Sequence, residues 1–550
     1  MSKWMTRIAL LAAVLVVSAA ASAQTYTVLY DYPETDRNNS GIASPQVMSQ
    51  GRDGNLYSTI MTDGTHNAGT AYNISPAGVR TTFYNFCNLT ACADGEIPEG
   101  GLILGTDGNF YGTTVNGGKT GEGTIFKVTA AGQLTTFYSF SAGTDNGYPP
   151  FTVLQGIDGN FYGGSYPVYN GQYGTAFRLT PAGKVTAPLV DFNYTNGADP
   201  NLYTQGTDGN FYGTAYLGGS KNLGVIYRMT PAGQVSVLHN FTGYPGDGAL
   251  PVGILVQGND GNFYGTTYEG GTLNQGTVFK INAAGTTYQV IYNFSYANGF
   301  FDGYHPYTGL TLGTDGNFYG STALGGTNNA GTLFEMNTTG KETILYNFCP
   351  KGVCNGFSPE TALVQHTNGK FYGNTVGNSL GGSVFYSLDM SLKPFVSLVN
   401  WSGKVGATAE ILGQGFTGTT KVSFNGVQAT FKVVSDTYLT ATVPSGATTG
   451  FVNVQTPGGS LKSNRKFLVV PANLTFSPES GPVGTVVTIT GTSLTGATKV
   501  TFGGVKATVF TVDSDTQITA TVPTGAVTGK ISVTTPGGTA TSATAFTVTQ

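Results

Sequence analysis

Between residues 25 and 390, apolar and aromatic residues come in short runs separated by Gly-, Asn- and Pro-containing turns. Residues 98–148 show the pattern. Pro98 to Thr106 reads as a first strand that ends at the turn Asp107-Gly108. Asn109 to Thr114 reads as a second, Gly123 to Val128 as a third and Leu134 to Phe140 as a fourth. Asp-Gly between two such runs predicts a tight hairpin, because glycine accepts positive φ and Asp bonds back to the nearby backbone. Phe110 and Tyr111 are adjacent, so they point to opposite faces of their strand. Both faces must therefore be buried, as in a sheet held between two others. Gly112 then suits a close backbone approach near a crowded axis.

The unit recurs. Its core is Asp53-Gly54-Asn55-Leu56-Tyr57, then Gly-Asn-Phe-Tyr after Asp107, Asp158, Asp208, Asp260 and Asp315, and finally Asn368-Gly369-Lys370-Phe371-Tyr372. Seven copies at intervals of 50 to 55 residues predict seven four-stranded blades of a β-propeller. Only six fourth strands follow a third strand in sequence. The missing copy lies near the mature N-terminus, at Leu29 to Tyr32. Thr27 to Tyr32 is therefore expected to pair with Ser383 to Leu388 and complete the last blade, which removes an exposed sheet edge. The six repeated aspartates are expected to form turns.

From about residue 393 the period changes. Residues 393–470 and 471–550 repeat each other at a spacing of 78: Gly403-Lys404-Val405-Gly406 matches Gly481-Pro482-Val483-Gly484. Lys421-Val422-Ser423-Phe424-Asn425-Gly426 matches Lys499-Val500-Thr501-Phe502-Gly503-Gly504. Alternating strands with Gly/Pro turns at this length predict two small β-sandwiches. The expected fold class is all-β: a seven-bladed propeller over 24–392, followed by two immunoglobulin-like domains.

Residues 1–23 change the expected location. Lys3 and Arg7 precede an apolar stretch from Ile8 to Val17, and Ala21-Ser22-Ala23 has the form of an export cleavage site. The protein is thus expected to be exported, to the periplasm, the cell surface or the medium. No later segment is apolar and long enough for a membrane helix. Removing Lys3 and Arg7 leaves 23 Lys and Arg against 29 Asp and Glu, a net charge of −6. There is no basic stripe, which argues against nucleic acid as a partner. Cys87 and Cys92, and Cys349 and Cys354, occupy equivalent points of two units. In an oxidising compartment they are expected to form two local disulfides. The alternative, a shared four-thiolate metal site, would require distant blades to meet.

The C-terminal pair resembles the IPT/TIG family of immunoglobulin-like domains. The match runs over 394–548 and is carried by the Gly-x-x-Gly openings and the Phe-Asn-Gly and Phe-Gly-Gly hairpins. The repeats over roughly 25–390 resemble the Gloeo-Verruco tandem repeat of exported bacterial proteins. That resemblance implies location and names no activity.

Candidate chemistry is sparse. His66, His239, His305 and His366 fall at different points of their units with no metal-ligand spacing. There is no Gly-x-Ser-x-Gly elbow, no phosphate loop and no arginine trio for an acidic sugar. A second set of turns, including Asp94-Gly95, Asp247-Gly248 and Asp302-Gly303, precedes a proline in each unit and reads as structural. No cofactor is expected, with calcium at one of these loops as the alternative. Variation is concentrated in the fourth-to-first and second-to-third strand loops, on one face. Tyr148, Tyr166, Tyr169, Tyr304 and His305 there are the candidate ligand-binding residues. The favoured reading is a non-enzymatic binding or adhesion protein that engages a glycan or a surface protein. One alternative is a carbohydrate-active hydrolase or lyase using Glu96, Glu99, Glu122 or Glu269; another is a structural component of the cell envelope.

Overall fold

A computed structural model describes residues 24–32, 47–141, 153–165, 173–295, 302–350, 354, 356–376 and 383–550. The chain is all-β, with a short 3-10 turn at Thr90–Cys92. Among the described residues no helix is long and apolar enough to cross a membrane.

Among the described residues, 25–389 include seven four-stranded antiparallel sheets, numbered here by their position in the chain. Sheet 2 is representative: Ile103–Leu104, Phe110–Thr114, Thr124–Val128 and Leu134–Ser139, each paired with the next. Sheet 1 spans 49–85, sheet 3 154–191, sheet 4 198–240, sheet 5 256–293 and sheet 6 311–347. Sheet 7 is made of Val364–Gln365, Phe371–Asn374 and Val384–Asp389, and its outer strand is the N-terminal Thr25–Asp31. Tyr26 pairs with Leu388 and Val28 with Tyr386, antiparallel, with a bulge before Tyr30. In six of the seven sheets the first strand is shorter than its apolar pattern suggests, whereas in sheet 4 it runs over Ala198–Gln205. Of 98–106, only Ile103 and Leu104 join the ladder.

The Phe-Tyr pair of each second strand links the sheets. Tyr57 stacks on Phe110 at 3.9 Å between ring centroids, Tyr111 meets Phe161 at 4.3 Å and Tyr162 meets Phe211 at 4.2 Å. Tyr212–Phe263, Tyr264–Phe318 and Tyr319–Phe371 continue at 3.9, 4.2 and 4.1 Å. Each tyrosine thus covers the phenylalanine of the next sheet, and each contact is worth about 0.5–1.5 kcal/mol beyond its buried area. At the junction of sheet 7 with sheet 1, Leu56 replaces the phenylalanine and shares a core with Tyr372, Phe385 and Tyr32. The last sheet therefore packs on the first, and the sheets close a ring. Gly112 serves this packing directly: a Cβ there would lie 2.6 Å from Cζ of Phe126 on the third strand. The crowding comes from that ring and from the Gly101 carbonyl at 2.8 Å.

The repeated aspartates tie each turn. Asp107 accepts from the Asn109 amide, from Asn109 Nδ2 and from the Tyr111 hydroxyl at 2.9 Å. The same set recurs at Asp53, Asp158, Asp208, Asp260 and Asp315. In sheet 7 the polarity reverses, and Asn368 Nδ2 donates to the Tyr372 hydroxyl.

Residues 393–550 form two immunoglobulin-like sandwiches, each a four-stranded sheet over a five-stranded one. Their cores centre on Ile411, Phe424, Leu439 and Phe467, and on Ile489, Phe502, Ile518 and Phe546. The first sandwich docks on the Asp53-Gly54 turn of sheet 1 and the Asn368-Gly369 turn of sheet 7. Arg52 pairs with Glu410 at 2.6 Å and lies over the Tyr438 ring. Thr437 Oγ1 donates to the Arg52 carbonyl, and Gln414 Nε2 to Thr367 Oγ1.

Candidate functional site

With the first sandwich on the turn face, the variable loops occupy the other end of the ring. A repeated backbone device shapes that end. Ile97, Asp199, Leu250, His305 and Ser358, each directly before a proline, have φ between 51° and 58°. A left-handed residue before proline is disfavoured sterically. Ile97, Leu250, His305 and Ser358 are each held by two backbone bonds. The His305 amide donates to the Gln275 carbonyl of the preceding sheet, and the His305 carbonyl accepts from the Ala323 amide. Ile97 bonds in the same way to Ala68 and Val115, and Ser358 to Ala330 and Val376.

This device fixes the register of the residue after the proline, which is Glu99, Tyr307 or Glu360 in three different sheets. A second register position, just beyond the second strand's Gly-Thr, carries Tyr216 and Tyr268, and in sheet 3 Tyr166. All of these except Tyr166, which is not described, are half-buried. Tyr268 stacks on the His305 ring at 4.3 Å and meets Tyr307 edge-on at 5.8 Å. His305 Nδ1 donates to the Tyr268 carbonyl at 2.8 Å, and the Tyr304 hydroxyl donates to Asn329 Oδ1 at 2.8 Å.

The electrostatics join these groups across the ring. The Tyr307 phenol is pushed up by burial and then by Glu360, Tyr216, Tyr268 and Glu99. Tyr268 is raised by burial, then by Glu269 and Glu360; Tyr216 is raised by burial, then by Glu269 and Asp199. Burial also raises the carboxyls of Glu99, Asp199 and Glu360. Glu360 accepts a bond from Ser358 Oγ at 2.7 Å. Among the described residues neither Glu99 nor Asp199 has an ion-pair partner. The result is a cluster of tyrosines and carboxyls at this end, able to stack on a ring and to accept hydrogen bonds from its hydroxyl groups.

Of the residues singled out in the sequence, Tyr304 and His305 belong to this cluster, while Tyr148, Tyr166 and Tyr169 lie outside the described residues. Glu99 and Glu269 also fall here. Glu96 and Glu122 pair through their backbones with Asn116 and Gly117, as Tyr304 does with Leu324. Sequence reasoning missed Asp199, Tyr216, Tyr268, Tyr307 and Glu360. Their signal was present as register: the residues on either side of each repeat proline, and the residue that follows the second strand.

The second set of turns is engaged internally. Asp247 accepts from the Thr242 amide and hydroxyl, the Gly248 amide, the Tyr288 hydroxyl and, at 2.9 Å, His239 Nε2. Asp94 likewise takes the Tyr84 hydroxyl and the amides of Asn88 and Leu89. A cation at either turn would have to displace these donors. Disulfides join Cys87 to Cys92 and Cys349 to Cys354.

No characterised protein sequence matches this chain. Among solved structures, the extracellular domain of the putative hybrid two-component system BT3049 from B. thetaiotaomicron is 13% identical with a TM-score of 0.44. The alignment covers 94% of this chain and 57% of that one, so this chain spans little more than half of that neighbour's length. The gluconolactonase XC5397 from Xanthomonas campestris is 11% identical with a TM-score of 0.35, covering 67% of this chain and 90% of that one. An oligogalacturonate lyase in complex with manganese is 11% identical with a TM-score of 0.41, covering 66% and 96%. Family models match more decisively. The Gloeobacter/Verrucomicrobia repeat matches residues 44–259 and 203–430, and the IPT/TIG domain matches 394–468 and 471–548. The chain therefore belongs to the Gloeobacter/Verrucomicrobia repeat family and carries two IPT/TIG domains at its C-terminal end.

Proposed function

We propose that this is an exported binding protein that takes a glycan at the loop end of its ring, and that the seven sheets are the blades of a propeller carried on the two TIG domains. The observation that carries the reading is the convergence of Tyr216, Tyr268 and Tyr307, from three sheets, with the carboxyls of Glu99, Asp199 and Glu360, from three. Tyrosine faces suit the apolar faces of sugar rings, and carboxyls accept from their hydroxyl groups. The negative lining favours neutral or amine-bearing sugars over uronic acids. Residues 1–23 and the two disulfides support export. The test is a glycan array with the mature protein, in which retention of neutral or amino sugars is expected. Retention of acidic polysaccharides alone would contradict the reading.

A hydrolase is the second reading, favoured by one observation. Glu99 and Glu360 stand at the same register position, both are raised by burial, and both act on Tyr307. A raised carboxyl can serve as a general acid. Incubating array-positive oligosaccharides with wild type, Glu99→Gln and Glu360→Gln separates the readings. Cleavage lost in either variant favours the enzyme, and binding without cleavage in wild type favours the binding protein.

A further inference from the structure

We propose that His366 is an acid-sensitive latch that holds the ring closed between sheets 7 and 1 and keeps the first TIG domain docked on that seam. His366 stands where the other turns have glycine, as at Gly105 and Gly258, and it is 1% exposed. Its Nε2 lies 2.9 Å from the Gly54 carbonyl of sheet 1. A carbonyl only accepts, so Nε2 carries the proton. The Asn368 amide donates to Nδ1 at 3.2 Å, so Nδ1 is bare. Both ring nitrogens are thus engaged in the neutral form. A second proton would set N–H against N–H at Nδ1 and bury a charge.

The neighbouring Thr367 joins three bodies. Its amide donates to Gln50 Oε1 of sheet 1, and its carbonyl accepts from the Phe395 amide on the TIG side. Its hydroxyl donates to the Gly413 carbonyl and accepts from Gln50 and Gln414. On the sheet 1 side, a Cβ at Gly54 would lie 2.9 Å from Thr437 Cγ2 of the TIG domain. The charged and titratable groups on the elements packed against this turn are Arg52, Asp53 and Tyr57 from sheet 1, Lys370, Tyr372 and Asp389 from sheet 7, and Lys393, Glu410, Asp436 and Tyr438 on the TIG side. Arg52 is paired with Glu410, Lys370 with Asp389, Tyr57 with Asp53, and Asp436 with the Gly415 and Thr417 amides. Tyr372 lies edge-on to the imidazole at 5.6 Å and Tyr438 under Arg52. Among the described residues no carboxylate acts on the imidazole, and burial lowers the His366 pKa despite its two bonds. The sign follows: the latch contributes fully above the ordinary histidine value and loses its contribution as pH falls below it.

The test is hydrogen exchange on the full mature chain between pH 7 and 5, expressed as protection factors. The amides of Thr367, Asn368 and Phe395 should lose about tenfold in protection per pH unit below about 6.5, while those of Phe211–Leu217 in sheet 4 hold. His366→Gln keeps a donor for Gly54 and cannot be protonated, so it should flatten this dependence, whereas exposed His66→Gln should not. Seam protection that is unchanged at pH 5, or an equal loss in His366→Gln, would overturn the proposal. If His366→Gln does not fold, the wild-type comparison of seam with sheet 4 decides alone.

Discussion

The hydroxyl of Tyr32 lies 3.1 Å from the hydroxyl of Tyr72, with both side chains fully buried. Tyr32 directly follows the N-terminal strand of sheet 7 and Tyr72 lies on the third strand of sheet 1, so this contact spans the seam. The Tyr32 hydroxyl donates in turn to Asn374 Oδ1, and Arg80 lies over both rings. The N-terminal strand therefore closes its own sheet and also the joint with the next.

Removing residues 24–32 should lower the melting temperature sharply, because it strips one strand from sheet 7 and exposes the Tyr386 and Phe385 side. Tyr32→Phe should cost about 1 kcal/mol through the lost hydroxyl bonds, and Tyr32→Ala about 3–5 kcal/mol. Denaturant melts of the three variants check the order. An N-terminal deletion as stable as wild type would remove the strand's role.

The disulfides are expected to be local staples. Each closes a loop of separation 5, which by loop entropy contributes about 2 kcal/mol. Reduced protein should therefore keep its far-ultraviolet spectrum and melt a few degrees lower. Collapse of the sheet signal on reduction would show that the loops hold the ring.

Glu342 gives a pH-dependent prediction at the outer edge of sheet 6. Burial, and then Asp302, raise its carboxyl to about 7, and its Oε1 is buried without a bond. A raised carboxyl favours the folded state at low pH, below the ordinary glutamate value, and that advantage is lost as pH climbs to about 7. Glu342→Gln should therefore raise the melting temperature more at pH 8 than at pH 5. Equal shifts at the two pH values would contradict this.

The sheets were legible because their signals are local. Asp107-Gly108 marks a hairpin within four residues, and Phe110 beside Tyr111 already requires two buried faces. The IPT/TIG pair was legible for the same reason, through repeated openings and hairpins. The cluster at the loop end was harder to see. Glu360 and Tyr307 come from different sheets, and each looks ordinary in its own unit; only aligning the units on their prolines places them at one level of the ring. The docking of the first TIG domain depends on pairs such as Arg52 with Glu410, 358 residues apart, for which no local pattern exists. His366 shows both sides of this. Its departure from glycine is visible in the repeat, but its partner, the Gly54 carbonyl, is visible only once the ring closes.

The most direct test of the functional account is the affinity of Tyr307→Ala, set beside its melting temperature, for the oligosaccharide that wild type retains best on the array. The account predicts a loss on the order of 1–3 kcal/mol of binding with little change in melting, and a similar pattern for Tyr268→Ala. Unchanged binding in both variants, with binding abolished instead by Asp260→Asn in a turn that remains folded, would place the site at the opposite end and contradict it.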